Sequence, residues 1–412
     1  MNNTDAKPTI NHKNTQTLNG YKKTAIGTIP EDWEVKKLFE ICNFTNGKGH
    51  EQIIETSGKY ILVNSKFVST QGMIFKTIDT NLCPLKKNDI AIVMSDVPNG
   101  KAIAKCFYVD KDDLYSLNQR VGNIRINSMA NSTFIYYQLN RNKYYLKFDD
   151  GIKQTNLRKD EVLNCPILFP PLPEQHKIAE ILSTWDDAIA KCKATIISLK
   201  VRNKGLSQQL LTGKKRLEGF NDKWTETTIE KITKNFSNKN KELIDARIYS
   251  VTNSNGFVYQ SDHFSREVAG DDLTDYKIIR KNEFAYNPAR INVGSIAFFT
   301  DEIGIISSLY VCFKTNDKVL NEFFIEWLKI EKTKHDIERY GEGGVRIYLW
   351  YDLFKKLKIN LPSIEEQNAI VEVLAAANQE LKNYETKLEA LQLQKKGLMQ
   401  QLLTGKIRVN VK

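Results

Sequence analysis

Two stretches of the chain carry the same apolar rhythm. In the first, Ile178, Leu182, Trp185, Ile189, Cys192, Ile196, Leu199, Asn203, Leu206 and Leu210 follow one another at alternating steps of four and three. In the second, Ile370, Leu374, Ala377, Leu381, Tyr384, Leu388, Leu391, Lys395, Leu398 and Leu402 repeat those steps. This spacing predicts two long helices whose apolar stripes form a coiled-coil seam. One polar residue interrupts each stripe at the same place, Asn203 and Lys395, where it helps set register. Each block opens at a proline, Pro173 or Pro362, with acidic residues in its first turn, and stops at Gly213 or Gly405. A helix of about 38 residues is about 57 Å long. Two such copies in one chain bury each other's stripe, and a rough two-fold relation between the halves requires them to run antiparallel. The alternative is two helices packed separately, each on its own domain. Off the seam, the first block has Ile181, Ala188 and Ile197 where the second has Val373, Glu380 and Glu389. The first helix is therefore expected to touch something more, a globular domain or another subunit.

The helical blocks are part of a longer duplication. A shift of 192 lays Pro170–Arg216 on Pro362–Arg408 without a gap, and the heptapeptide QQLLTGK stands at both Gln208–Lys214 and Gln400–Lys406. The preceding segments correspond more faintly: PEDWEVKKLFEI (30–41) with FNDKWTETTIEKI (220–232), LKKNDIA (85–91) with IRKNEFA (279–285), and TFIYYQL (133–139) with FFIEWLK (323–329). The organisation expected is a flexible tail over 1–23, a globular unit over 24–169 and a helix over 170–213. A second unit over 214–361, a second helix over 362–405 and a tail over 406–412 complete it. Within the units, YILVN (60–64), DIAIVMS (89–95), AIAKCFYV (102–109) and RVGNIRI (120–126) read as strands. ARIYSVT (246–252), EFAYNP (283–288), GSIAFFT (294–300) and GIISSLYVCF (304–313) do so in the second half. Helical segments follow at about 131–147 and 321–340. The fold class is α+β, two tandem units with a twisted, mainly antiparallel sheet, separated by the two long helices in pseudo-two-fold arrangement.

Composition narrows the chemistry. The chain has 412 residues and a formal net charge of +11, the electrostatic footprint of a nucleic-acid binder. No apolar run reaches the length of a membrane helix, and the polar N-terminus lacks the apolar core of a signal peptide, so a cytoplasmic protein without a membrane partner is expected. Cys42, Cys83, Cys106, Cys165, Cys192 and Cys312 form no CxxC pair and, like the five histidines, show no metal-ligand spacing. They read as core residues. No phosphate-binding loop, dinucleotide fingerprint, GxSxG or HExxH occurs, so no catalytic residue and no bound metal are expected.

These motifs together resemble a known family. TAIGTIPEDWEVKKL (24–38), the pair PPLPEQHKIAEIL (170–182) and PSIEEQNAIVEVL (362–374), and the twin QQLLTGK are similar to the specificity subunit of type I restriction–modification systems. The resemblance covers nearly the whole chain. It implies two target-recognition domains, each reading one half of a split double-stranded DNA sequence, with a coiled coil that sets their spacing. It implies docking of two methyltransferase subunits that carry S-adenosylmethionine, and motor-nuclease subunits that carry ATP and magnesium chemistry. The specificity subunit itself is then not an enzyme and binds no cofactor. The alternative is a recognition subunit of another multi-subunit or formerly fused methyltransferase or nuclease system.

Bases are read by polar side chains in the grooves, while Lys and Arg on phosphates set position. The candidate loops are those at matching places in both halves: 95–101 with 289–295, 116–120 with 306–310, and 151–158 with 341–350. From them Asn99, Lys101, Asn118, Arg120, Lys153, Gln154, Asn156 and Arg158 are candidates in the first unit. Arg290, Asn292, Ser307, Arg346 and Tyr348 are candidates in the second. Gly100, Gly294, Gly151 and Gly344 are expected to serve backbone geometry.

Overall fold

The computed structural model describes residues 20–50, 52, 54–97, 100–263, 272–342 and 348–411. The chain forms two compact units, Met1–Lys191 with Leu388–Lys412, and Cys192–Lys387. Unit 1 is therefore built from two separate stretches of sequence, and each long helix contributes to both units.

In unit 1 a four-stranded antiparallel sheet runs in the order Cys106–Tyr108, Ile90–Val93, Val121–Ile126, Cys42–Asn46. A second sheet orders Tyr115–Leu117, Tyr60–Val63, Thr77–Ile78 and Ile54–Glu55, with one parallel pairing between the first two. Unit 2 repeats the plan. Ile296–Phe298, Phe284–Tyr286, Val311–Thr315 and Thr233–Phe236 form the antiparallel sheet. The other sheet orders Gly256–Tyr259, Ile248–Thr252, Ile303–Ile306 and Lys277–Arg280, again with one parallel pairing, Ile248–Thr252 with Ile303–Ile306. The α+β, mainly antiparallel reading holds in both units.

Several strands and helices are shorter than the apolar runs suggest. AIAKCFYV (102–109) contributes only Cys106–Tyr108, because Ala104 takes a positive φ of 56° and turns the chain. GIISSLYVCF is broken by a turn at Ser307, whose carbonyl accepts from the Tyr310 N–H at 3.1 Å. The helical segment at 131–147 splits into Ser132–Leu139 and Lys143–Leu146, with Arg141 at φ 58° between them. The segment at 321–340 splits into Asn321–Lys329 and Glu331–Tyr340. The expected tail over 1–23 is ordered over its described end. Tyr21–Thr24 is a strand paired with Gly27–Pro30, and the Tyr21 hydroxyl donates to the Gly405 carbonyl at 3.0 Å.

The long helices are Leu172–Leu211, of 40 residues, and Ile364–Leu402, of 39. Every seam position is buried or half-buried, from Ile178 to Leu210 and from Ile370 to Leu402. In unit 2 the Cys192 thiol lies 3.5 Å from the Tyr384 carbonyl, and the Asn203 amide donates to the Ala377 carbonyl at 2.8 Å. Numbers rise on one helix as they fall on the other, so the two run antiparallel there. Arg202 pairs with Glu380 at 2.7 Å and Lys200 with Glu385 at 2.9 Å along the same stretch. In unit 1 Ile178, Ala179 and Leu182 share a core with Leu398, Leu402 and Leu403, and Lys395 pairs with Asp186. Both polar interruptions of the stripe thus bond across the seam. Of the extra apolar residues, Ile181 packs on the unit 1 core and Ala188 is half-buried, whereas Ile197 stays 65% exposed.

Each unit is closed by the same polar knot. Glu174 and Glu366, both 2% exposed, open the two helices. The Glu366 carboxylate accepts two hydrogen bonds from Arg216, at 2.6 and 2.7 Å, and one from the Trp224 indole at 3.0 Å. The Glu174 carboxylate accepts two from Arg408, at 2.8 Å each, and one from the Trp33 indole at 3.0 Å. Arg408 also binds Asp32, so the expected tail over 406–412 is anchored at Arg408. The next residues, Gln175 and Gln367, are fully buried. Gln175 accepts from the Asn131 N–H and donates to the Pro170 carbonyl; Gln367 accepts from the Leu320 N–H and donates to the Lys318 and Pro362 carbonyls. The repeated heptapeptide delivers the arginine to this knot. Its leucines, Leu210–Leu211 and Leu402–Leu403, are buried. Its threonine hydroxyl bonds back to the Gln208 or Gln400 carbonyl at 2.6 Å. Its glycine, at φ 69° in both copies, reverses the chain.

A carboxylate that far from water depends on its cation. Arg216→Ala should destabilise the protein by about 3 kcal/mol in urea unfolding, against under about 1 kcal/mol for an exposed pair. The Asp32 carboxyl is held below its ordinary 3.8 by the Arg408 hydrogen bonds. A depressed folded value contributes stability above that pH and loses it as pH falls. The acid limb of a pH–stability curve should therefore be shallower in Arg408→Ala than in the parent.

Candidate nucleic-acid interface

In unit 1 the three candidate loops meet at one backbone residue. Met94, at the end of the strand Ile90–Val93, donates its N–H to the Arg120 carbonyl at 3.0 Å and accepts from the Leu157 N–H at 2.7 Å. Ser95–Asp96 then pairs antiparallel with Thr155–Asn156. Lys101, Arg120, Lys153, Gln154, Asn156 and Arg158 are all exposed around this junction.

The loops are held from beneath by carboxylates. Asp96 accepts from the N–H groups of Val97, Ala102 and Ile103, at 3.0, 2.6 and 3.0 Å. Asp149 accepts from the Gly151 N–H and the Thr155 hydroxyl, at 3.1 and 2.8 Å. Asp150 accepts from the N–H groups of Lys153 and Ile152, and these bonds, Lys153 foremost, hold its carboxyl below the usual value. Gln154 is partly engaged, donating to the Ser95 hydroxyl at 3.0 Å and to the Asn156 side chain at 3.2 Å. Asn118 is placed differently from its neighbours. It is 6% exposed, and its side-chain oxygen accepts from the Arg120 N–H at 3.4 Å, so it shapes the turn from inside. Asn99 lies outside the described residues.

Unit 2 joins two of the corresponding loops. The Leu349 N–H donates to the Pro288 carbonyl at 3.0 Å, joining the segment after 348 to the loop at 287–295. Arg290 is exposed and precedes a short 3-10 turn, Ile291–Val293, which Gly294 ends at φ 95°. Asn292 is half-buried. Tyr348 bridges Glu342 through both backbone groups and is 37% exposed, with Trp350 beside it in sequence at 49%. Ser307 is half-buried, and its hydroxyl accepts from the Leu309 N–H at 3.4 Å. Arg346 and Gly344 lie outside the described residues.

Two things were missed in the sequence. The Glu–Arg–Trp–Gln knot was visible as aligned residues, but nothing in a one-dimensional pattern pairs positions 150 or 234 apart. A fourth segment also borders the loops. The Ser295 hydroxyl donates to the Val251 carbonyl at 2.8 Å, and the Ser65 hydroxyl reaches the Ser95 carbonyl at 3.4 Å. Thus the residues following Val63 and Val251 adjoin the candidate loops in their respective units. The signal was the Asn-Ser-Asn-Gly turn after a strand.

Residues 30–200 and 221–393 match the type I restriction modification DNA specificity domain. The chain belongs to this family. As a specificity subunit it has full-length relatives. The MjaVIII type I restriction enzyme specificity subunit of Methanocaldococcus jannaschii is 23% identical over 92% of this chain and 94% of its own. A protein of the same organism, provisionally named as the MjaX specificity subunit, is 27% identical over 94% and 97%. In fold, the chain is similar to the S subunit of a type I restriction-modification system from M. genitalium, with a TM-score of 0.55 at 17% identity, covering 90% of this chain and 96% of that one. A chain from a study of complex assembly and conformational transition in the type I R-M system also scores 0.55, at 14% identity over 92% and 99%. Among the described residues of this specificity subunit, no cluster of His, Cys, Asp or Glu is arranged to hold a metal ion, and no helix is long and apolar enough to cross a membrane. Burial pushes the Cys42, Cys165 and Cys312 thiols up to about 12.

In the first candidate loop Gly100 leaves no room for a side chain beside Asp96. A Cβ on Gly100 would lie 2.2 Å from the Asp96 carboxylate. Gly100→Ala should push that carboxylate off the Ala102 and Ile103 N–H groups, at a cost of about 1–3 kcal/mol. The expected readout is a lower melting temperature together with weaker DNA binding in a gel-shift titration; unchanged binding would show that the loop does not face DNA.

Proposed function

We propose that each unit reads one half of a split duplex sequence through the loops that converge at its sheet edge. The observation that carries this reading is the convergence itself. Three loops far apart in sequence meet at Met94 in unit 1, and two of their counterparts are joined at Pro288 in unit 2, beside antiparallel sheets of the same strand order. Exposed Lys and Arg side chains supply sequence-independent attraction to phosphates, and the exposed amides and Arg290 supply base-edge groups. The two units differ in these loops, so the half-sites differ in sequence. Half-sites read from one face of a duplex lie about one helical turn apart, and the long helices set that spacing.

In this reading the chain supplies recognition and no catalysis. Two methyltransferase subunits dock on it and carry S-adenosylmethionine, while motor-nuclease subunits carry ATP and magnesium chemistry. The chain itself holds no cofactor and works in the cytoplasm, where the chromosome is.

The test is to express the chain with its methyltransferase subunit and map methylated bases across the host genome. A two-part motif with an unspecified spacer is expected; no methylation dependent on this chain, or a single uninterrupted motif, would overturn the reading. Within that assay, Arg290→Ala should relax one base position in one half-site, a loss of roughly 5- to 150-fold in discrimination. An unchanged motif would remove Arg290 from the reading groups.

A further inference from the structure

The hairpin turn of unit 2 is the strongest feature that the matched loops leave unused. Ile248–Thr252 pairs with Gly256–Tyr259, with Thr252 opposite Gly256, so the three residues Asn253, Ser254 and Asn255 form the turn. All three are exposed. The turn is rigid for its length. The Thr252 hydroxyl donates to the Gly256 carbonyl at 3.1 Å and accepts from the Asn255 N–H at 3.0 Å. Gly256 has φ 60°, and a Cβ there would lie 3.2 Å from that of Ala297, so the hairpin is seated on the neighbouring strand Ile296–Phe298. It is also fixed to the loop that carries Arg290 and Asn292. Ser295 donates its hydroxyl to Val251, and a Cβ on Gly294 would lie 3.5 Å from the Asn253 carbonyl. The Val251 N–H is held in turn by the Tyr310 hydroxyl at 3.2 Å.

Unit 1 uses the same place in another way. After Val63 the chain enters a short helix, Ser65–Ser69, and the Asn64 side chain is turned inward as its cap, accepting from the Phe67 N–H at 2.9 Å. Ser65 is half-buried, and Lys66 is the exposed residue there. One unit therefore presents two carboxamides beside its recognition loop, where the other presents an ammonium.

We propose that Asn253 and Asn255 are specificity-determining residues of unit 2 that read adenine in its half-site. A carboxamide offers a donor and an acceptor side by side, the complement of the adenine N7 and N6 groups in the major groove. A lysine at the corresponding place in unit 1 suits a phosphate. Unit 2 thus specifies an A·T position with an element that unit 1 uses only for positioning. This rests on the DNA-reading role proposed above.

The experiment uses the full chain co-expressed with its methyltransferase subunit, with methylated positions of the host genome as readout. The variants are Asn253→Ala with Asn255→Ala, and the isosteric pair Asn253→Asp with Asn255→Asp, which preserves the shape of an exposed turn. Both should still co-purify with the methyltransferase and keep the parent's melting temperature. In both, an A·T position should be lost from the half-site that Arg290→Ala also affects, by roughly 5- to 150-fold in discrimination, with the other half-site unchanged. A full motif retained by both pairs overturns the inference while leaving the DNA-reading role intact. Relaxation in both half-sites equally also overturns it. A parent protein that directs no split motif at all would instead remove the role on which the inference rests.

Discussion

A carboxylate sealed from water at the start of each long helix governs how this chain closes. Glu174 and Glu366 are nearly inaccessible, and each is satisfied by an arginine fork and a tryptophan indole. Such a group is costly to bury unless its partners arrive in good geometry, so it acts as a condition on assembly. The knot draws on three places: the strand region that opens a globular unit, the first turn of one helix, and the segment that leaves the other helix. A single charged group thereby fixes the entry of one helix, the exit of its neighbour and the seat of a sheet domain. The adjacent buried glutamine adds a fourth tie, to the loop before the helix Ser132–Leu139 or Asn321–Lys329.

The candidate loops are held by shorter ties of their own. They spring from the ends of paired strands, and their backbone is pinned by Asp96, Asp149 and Asp150 in unit 1 and by the Ser295 and Thr252 hydroxyls in unit 2. Side chains on such loops are free to vary while the frame stays put.

Legibility in the sequence followed range. The seam was readable because its period is local, and all of its positions from Ile178 to Leu402 proved buried or half-buried. Strand positions were readable, but strand ends were not: Ala104 and Ser307 break apolar runs with turns that no hydrophobic pattern marks. The loops that meet were found by matching the two halves, yet the match did not distinguish an outward residue such as Lys153 from Asn118, whose side chain serves its own turn. Arg408 was placed in a tail because its partners, Glu174 and Asp32, lie 234 and 376 residues away.

The split make-up of unit 1 has a consequence for synthesis. Unit 2 is one uninterrupted stretch, Cys192–Lys387, whereas unit 1 needs Leu388–Lys412 as well as everything before Cys192. As the chain emerges from the ribosome, the second globular unit holds all of its own parts first. The earlier-made unit must wait, its Glu174 without Arg408 and its core without Leu402 and Leu403, until the last helix is delivered. The order of completion is thus the reverse of the order of translation, and a nascent chain stalled anywhere in that helix exposes the unfinished core of the half that was made first.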